Sequence, residues 1–469
     1  MSARQRQRVV IAGGGVAALE TMLALHALAP HRLELTLLTG DRYFVYRPVT
    51  VAEAFDRAEA RAYQVAAIAA EHGASLVADS LSEVDPERRT VLTGAGARID
   101  FDHLVVATGA KLREPLRGAL TFRGREDVPA LRDLLAELVA GTVGSVALTL
   151  PSERVWPLPL YELALMTAGH LREHGAGEAA VSVVTPEEQP LELFGPAASR
   201  AIEALLTSQA IALRTGALPK TVHPGSLVLT GGGVMFVDRV VTVPVPEGPA
   251  LAGLPHDQHG FVPVDRHGRV KDVERVYAAG DVTTFPLKQG GLAAQQGDAV
   301  AETIAAELGV PLTPHPFRPV LRGLLMTGGA PLYLRAEPHR LEGDASVAVD
   351  VAGAPQLGRE SAATGQPLWW PPSKIAGRYL APYLSSATPE SLSNEVLTDR
   401  APIAGAELSD AEHADAVELA LTLAGLDARW GDYRSALEAL DAAEALEGAL
   451  PPEYEAKRRE WRDAERTTG

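Results

Sequence analysis

The strongest constraint on the fold of this chain is a glycine cluster near its start, Arg8-Val9-Val10-Ile11-Ala12-Gly13-Gly14-Gly15-Val16-Ala17-Ala18. Val9 to Ala12 is a short apolar run of the kind that forms a buried parallel strand. It breaks on three glycines and passes into Leu19-Glu20-Thr21-Met22-Leu23-Ala24-Leu25, rich in good helix formers. Strand, glycine turn and helix in this order predict a dinucleotide-binding unit. Gly13 takes the tight turn, Gly15 lets backbone approach a pyrophosphate, and Ala18 keeps helix and strand close. Val16 and Ala17 open the helix, whose free N–H groups and positive dipole end suit the phosphates. Glycine runs also serve ordinary turns, so the rest of the chain decides between the two.

Leu33 to Thr39 reads as a second strand, which completes a βαβ unit. An acidic residue usually ends this strand and holds the ribose hydroxyls. Here Thr39 stands there, with Asp41 two residues on. A hydroxyl can bond a ribose but lacks the charge that strengthens a carboxylate contact. An aromatic stretch, Tyr43-Phe44-Val45-Tyr46-Arg47-Pro48, follows, then a β segment near Ser75–Val84 that includes Leu81. Phe101 to Ala110 reads as another buried strand ending in the small-residue turn Ala107-Thr108-Gly109. Gly144–Leu150, a helix over Leu160–Leu171 and a strand at Ala180–Thr185 repeat the layout. Val276 to Val282 contains Ala278-Ala279-Gly280-Asp281, and a helix over Gly291–Leu308 comes next.

The 469 residues contain no cysteine, which excludes structural disulfides, thiolate metal sites and dithiol relays. A net charge of −17 argues against nucleic acid as a partner. No apolar run approaches the roughly 18–20 residues of a spanning helix. With the first strand beginning by Val9, no signal peptide is expected. A cytoplasmic location, free or peripheral to the membrane, is the expectation. The histidines show no metal-ligand spacing, His256 and His259 reading as solvated loop residues, and no serine nucleophile elbow stands out.

Three motifs, Gly13-Gly14-Gly15-Val16-Ala17-Ala18, Ala107-Thr108-Gly109 and Ala278-Ala279-Gly280-Asp281, therefore stand in order. Together they resemble the FAD-dependent pyridine nucleotide-disulfide oxidoreductases, flavoproteins with two dinucleotide-binding domains. Phe44–Pro48, Thr185-Pro186-Glu187, Phe194-Gly195 and Pro286-Leu287-Lys288-Gln289-Gly290-Gly291 are similar to the sulfide:quinone oxidoreductase and type II NADH dehydrogenase branch. The resemblance implies an α/β fold with two Rossmann-like domains and bound FAD. It places Gly13, Gly15, Val16 and Ala17 at the pyrophosphate, Thr39 at the adenosine ribose, and Asp281 with Gly280 at the ribityl chain. Arg47, Pro48, Leu81, Thr108 and Gly109 would also line the cofactor. A helix beginning near Gly291 would aim its positive end at the flavin ring, with Lys288 as a candidate catalytic charge beside it.

The second unit departs from that family. Its strand and helix are joined by Thr149-Leu150-Pro151-Ser152-Glu153-Arg154-Val155-Trp156-Pro157-Leu158-Pro159-Leu160-Tyr161-Glu162. If Glu162 is the family's helix glutamate, Val155, Pro157 and Leu160 stand where glycines would. Proline offers no N–H and the bulky side chains fill a pyrophosphate's space, so NAD(P)H is not expected to bind in the usual way. The absence of cysteine likewise excludes the sulfide branch's sulfur relay. The expectation is an FAD-dependent oxidoreductase with an unidentified donor and a quinone, other small-molecule or protein acceptor. The alternative is a vestigial flavin-binding protein that acts as a scaffold through its tail.

Two places are candidate substrate pockets: Trp156 with Tyr161 in the remodelled link, and Trp369 with Lys374 further on. Packing is the favoured reading for both, within the remodelled link for the first and between domains or subunits for Trp369–Leu384. The alanine- and leucine-patterned tail from Ala411, with a break at Pro451-Pro452, resembles a tetratricopeptide-type hairpin. It is too short for a stable array, which needs about three repeats. Packing on the body or a second subunit is expected, with a partner-docking role open. The expected organisation is residues 1–115 and 241–310 as the FAD domain and 116–240 as a second, degenerate Rossmann-like domain. Residues 311–400 follow as an interface region and 401–469 as the tail.

Overall fold

The computed structural model describes residues 6–337, 362–365, 367–369, 371–386 and, in the tail, 417, 421, 424–425, 428, 433–447 and 449–468. Its first sheet is five-stranded and wholly parallel. Gln7–Ala12 lies at its centre between His103–Val106 and Leu33–Leu38, with Val276–Ala278 and Ala74–Val77 outermost. Val9, Ile11, Leu104 and Val105 are fully buried, as near-continuous apolar strands must be when both faces are covered. Successive strands leave the central strand in opposite directions, a switch point at whose carboxyl end ligands bind.

Helix Val16–Leu28 follows the glycine turn and packs along helix Gly290–Glu307. A glycine makes the crossing close. A Cβ on Gly297 would lie 2.8 Å from the Ala17 carbonyl and 2.9 Å from the Thr21 hydroxyl, and that hydroxyl donates to the Gly297 carbonyl at 3.2 Å. The crossing sets the N-termini of both helices side by side.

The second sheet, also parallel, runs Leu120–Thr121, Arg239–Thr242, Ser145–Thr149, Ala180–Val184 and Ala212–Arg214. The chain crosses between the two units twice, and the crossings pair as antiparallel strands, Lys111–Arg113 with Val245–Glu247. The helix of this unit starts at Leu158, immediately after Pro157, two residues before the predicted start. Pro157 and Pro159 explain this, because proline suits a helix start and is excluded from its interior.

A third sheet joins Leu321–Leu325, Leu332–Ala336 and Ala362–Thr364. The tail forms helices Tyr433–Glu447 and Pro452–Thr468, and the break between them falls at the two prolines. Ala436, Leu437, Leu440 and Ala443 are buried against Trp461. Ion pairs fasten this hairpin to the body: Arg434 to Asp298 and His315 to Glu465 at 3.7 Å. Arg378 of the connecting segment holds Asp441 at 3.3 Å. The predicted helix positions Ala416, Leu419 and Ala420 lie outside the described residues, as does Trp370.

Candidate functional site

The three separated motifs meet at the carboxyl end of the first sheet. Gly13 has φ +136°, and a Cβ there would lie 2.1 Å from the Ala107 carbonyl oxygen. The glycine turn and the Ala107-Thr108-Gly109 turn are thus in backbone contact, and Gly109 itself takes φ +73°. A Cβ on Gly280, at φ +79°, would lie 2.9 Å from the Ala17 Cβ. The Gly280 N–H donates at 2.6 Å to Gln296 on the long helix, locking the third motif against the first.

Gly15 behaves differently. It caps the first helix without any side-chain bond, is exposed, and would meet nothing within 4 Å if given a Cβ. Val16 is half-buried beside it and Ala17 is buried. The first-turn N–H groups there have no intrahelical partner, the condition for an anion site. Gly14 is held against Thr39, whose hydroxyl would lie 2.7 Å from a Cβ on it.

Thr39 itself is buried, and its hydroxyl accepts the Asp41 N–H at 3.1 Å. Asp41 is exposed, and its carboxylate lies beside Gly14. The threonine therefore braces an acid that stands two residues beyond the usual position. Leu81 is half-buried at the start of strand Leu81–Asp85, against the core behind the first sheet. Thr108 and Arg47 are exposed, and Pro48 opens a 3-10 helix over Arg47–Phe55.

Asp281 is half-buried in the cleft, and no donor among the described residues hydrogen-bonds its carboxylate. Burial raises its pKa, opposed by the charges of Lys288 and Arg47. Lys288 is pushed down to about 8 by burial, with Asp281 pulling the other way. Its ammonium donates to the Phe285 carbonyl at 2.6 Å and to that of Thr283, and sits 4.0 Å over the Phe261 ring. Helix Gly290–Glu307 begins one residue before Gly291, which is buried. Gln289 caps it, accepting the Leu292 N–H at 2.8 Å and donating to the Arg322 carbonyl at 3.0 Å.

The second unit shows the opposite pattern, with every candidate group engaged internally. Tyr161 is fully buried and donates to Glu187 at 2.6 Å, and Thr185 donates to the same oxygen at 2.9 Å. Glu187 follows the second strand of this unit, where a ribose-binding acid would stand. Burial pushes its carboxyl up to about 7. Glu162 is fully buried, accepts the Met326 N–H at 2.8 Å and pairs with Lys374.

Trp156 packs edge-on against Phe194 at 5.7 Å. Trp369 is 5% exposed, donates its indole N–H to Ser373 at 2.9 Å and packs edge-on against Tyr333. Tyr161, Trp369 and Lys374 are thus engaged as packing and ion-pair groups, and none of them lines the cavity described next. Their apolar bodies and polar tips are consumed by neighbours.

A cavity lies elsewhere. It measures about 930 Å³ and takes Ser152, Arg154 and Val155 from the remodelled link, together with Arg113, Phe285 and Lys288. His256 and His259, read as solvated loop residues, stand at its wall. Sequence reasoning missed it because four stretches distant in the chain build it.

The model of the pyridine nucleotide-disulphide oxidoreductases matches residues 7–145 and 162–297. This chain belongs to that family. The match skips 146–161, the remodelled link whose glycines are missing. The sulfide-quinone reductase of Aquifex aeolicus is 25% identical over 332 residues, covering 64% of this chain and 77% of that protein. The ferredoxin–NAD(+) reductase subunit of the Pseudomonas putida benzene 1,2-dioxygenase system is 27% identical, covering 73% and 89%. The solved Aquifex aeolicus sulfide:quinone oxidoreductase superposes with a TM-score of 0.66 at 22% identity, covering 76% of this chain and 87% of that one. It shares the fold of two Rossmann-like domains.

The chain is accordingly a flavin-dependent oxidoreductase with FAD as cofactor. Its residues fit that group: an open glycine cradle at Gly15, free helix N–H groups, and an Asp281 carboxylate awaiting a donor. Among the described residues no helix is long and apolar enough to cross a membrane, and no acid–histidine cluster is built to hold a metal.

Proposed function

We propose that this enzyme oxidises a donor other than NAD(P)H and passes the electrons through FAD to a quinone or a protein acceptor, with no cysteine relay. One observation carries the reading. The second unit has spent its nucleotide groups on itself, since Pro157 precedes the helix and Glu187 already accepts Tyr161 and Thr185. The absence of cysteine removes thiol chemistry as an intermediate step. The acceptors follow those named for the relatives, a quinone for the reductase of Aquifex aeolicus and a ferredoxin for the subunit of Pseudomonas putida.

FAD supplies the capacity to accept two electrons and release them singly or together. Gly13 and Gly15 bring backbone to its pyrophosphate, and Val16 and Ala17 offer their N–H groups there. Thr39, through Asp41, would serve the adenosine ribose, and Leu81, Thr108 and Gly109 would also line the cofactor. Asp281 and Gly280 take the ribityl hydroxyls. Arg47, Pro48, Gly291 and Lys288 would line the ring. Lys288 holds positive charge below about pH 8, and there it would favour an electron-rich ring. The division of the chain at 115, 240, 310 and 400 accompanies this assignment.

The scaffold reading has less support. Among the described residues the tail pairs with its own body through Arg434 and Glu465, and Asp281 accepts no described donor in the cleft. The test is anaerobic reoxidation of photoreduced holoprotein. A soluble quinone or oxidised ferredoxin is expected to restore the oxidised flavin spectrum, and NAD(+) is not. Rapid reoxidation by NAD(+) alone contradicts the proposal.

A further inference from the structure

The cavity of about 930 Å³ carries charge of a sign unlike the rest of the molecule. The chain has a net charge of −17, yet Arg113, Arg154, Lys271 and Lys288 all reach this one space. Two carboxylates, Glu247 and Asp257, share it. Asp257 is already engaged, since one of its oxygens accepts the N–H groups of His259 and Phe261 at 2.9 Å each. Among the described residues Arg113, Arg154 and Lys271 form no ion pair within the chain. Exposed cations left unpaired in an acidic protein, converging on a concave space, focus a positive potential there.

Part of the remaining wall is apolar, beside the polar Ser152, Gln258 and Thr284. Val155, Val245, Phe261 and Phe285 give the cavity a face that water solvates poorly. The cavity also reaches the flavin region through one side chain. Lys288 lines it while its charge acts on Asp281 in the cofactor cleft.

We propose that this cavity binds an organic anion, an acidic group on an apolar body. Arg113, Arg154 and Lys271 hold the acidic group, and the phenylalanine-lined face holds the body. The remodelled link makes the site, because Arg154 and Val155 occupy ground that a glycine loop would leave to a nucleotide. Binding stands on the cavity alone. The ligand's part as electron donor rests on the oxidoreductase reading above.

Calorimetry on the purified full chain, with its flavin content measured beside it after incubation with FAD, separates the two. The probes are benzoate, phenyl phosphate, inorganic phosphate and benzyl alcohol. At least one aromatic anion is expected to bind tenfold or more tightly than benzyl alcohol and than inorganic phosphate. Arg154→Gln with Lys271→Gln, both exposed positions, is expected to weaken it by about tenfold or more, as loss of charge-assisted hydrogen bonds requires. Glu247→Gln is expected to tighten it, with the thermal midpoint of each variant confirming an intact fold. Equal binding of the alcohol or of inorganic phosphate overturns the proposal. So does unchanged affinity in the double variant, or no binding of any probe. A protein that binds benzoate but holds no flavin sinks the oxidoreductase reading and leaves the anion site standing.

Discussion

The Lys374 ammonium and the Glu162 carboxylate form an ion pair whose side chains are 6% and 0% exposed. The pair joins the segment after the third sheet to the helix of the second unit. One residue on, the Ile375 N–H donates to the Tyr46 hydroxyl of the first unit at 2.9 Å. Further along, Glu20 of the first helix accepts the N–H groups of Tyr379 and Leu380, both at 2.8 Å. A single stretch thus ties the two units together.

Burial raises the Glu162 carboxyl and lowers the Lys374 ammonium, and their mutual attraction opposes both shifts without cancelling them. Such a pair fixes geometry more than it adds stability. Lys374→Met alone is expected to cost about 3–5 kcal/mol, because it leaves a buried charge without a partner. Adding Glu162→Leu is expected to recover most of that loss. Urea unfolding of the two singles and the double checks this, and losses that simply add contradict it.

Glu187 sets a pH dependence. Its native carboxyl keeps a proton up to about pH 7, whereas the unfolded one releases it near the ordinary 4.5. Between these values the native state binds more protons, so stability falls as pH rises, on the order of 3 kcal/mol across the window. Glu187→Gln keeps an oxygen to accept Tyr161 and removes the titration. Unfolding free energies at pH 5 and pH 8 are expected to differ less in this variant, by that amount. Parallel pH profiles for both proteins contradict the assignment.

Asp281 and Gly13 are expected to fail differently. Asp281→Ala removes a cleft carboxylate that no described donor bonds, so the fold persists while FAD affinity falls roughly 10–100-fold. Gly13→Ala forces a side chain to within 2.1 Å of a carbonyl at φ +136°, so the sheet itself is disturbed. Circular dichroism beside flavin content after gel filtration distinguishes them. Native dichroism with full flavin in Asp281→Ala contradicts the ribityl role.

Much of this architecture is legible in the residues. Val9–Ala12 and Leu104–Val106 are apolar enough to be read as buried parallel strands, and Gly13, Gly109 and Gly280 stand where positive φ is used. The loss of glycines between Thr149 and Glu162 is equally plain. Less legible are the partners. Leu19-Glu20-Thr21 and Tyr161-Glu162-Leu163 each place one acid in an apolar helix, which signals that a partner must exist. Nothing local says that residues 374–380 supply it for both, because that contact spans 212 to 360 residues. The same limit hid the cavity. Arg113, Arg154 and Lys271 look like ordinary surface charges until the two linker strands pair and bring them together.

On the function proposed here the flavin is reducible, but NAD(P)H is not its reductant. The direct measurement is the anaerobic absorbance spectrum of the purified holoprotein, titrated separately with dithionite and with NADH or NADPH. An FAD spectrum that bleaches with dithionite and stays unchanged with either nicotinamide is expected. Stoichiometric bleaching by NADH or NADPH, or a colourless protein that takes up no added FAD, would contradict it.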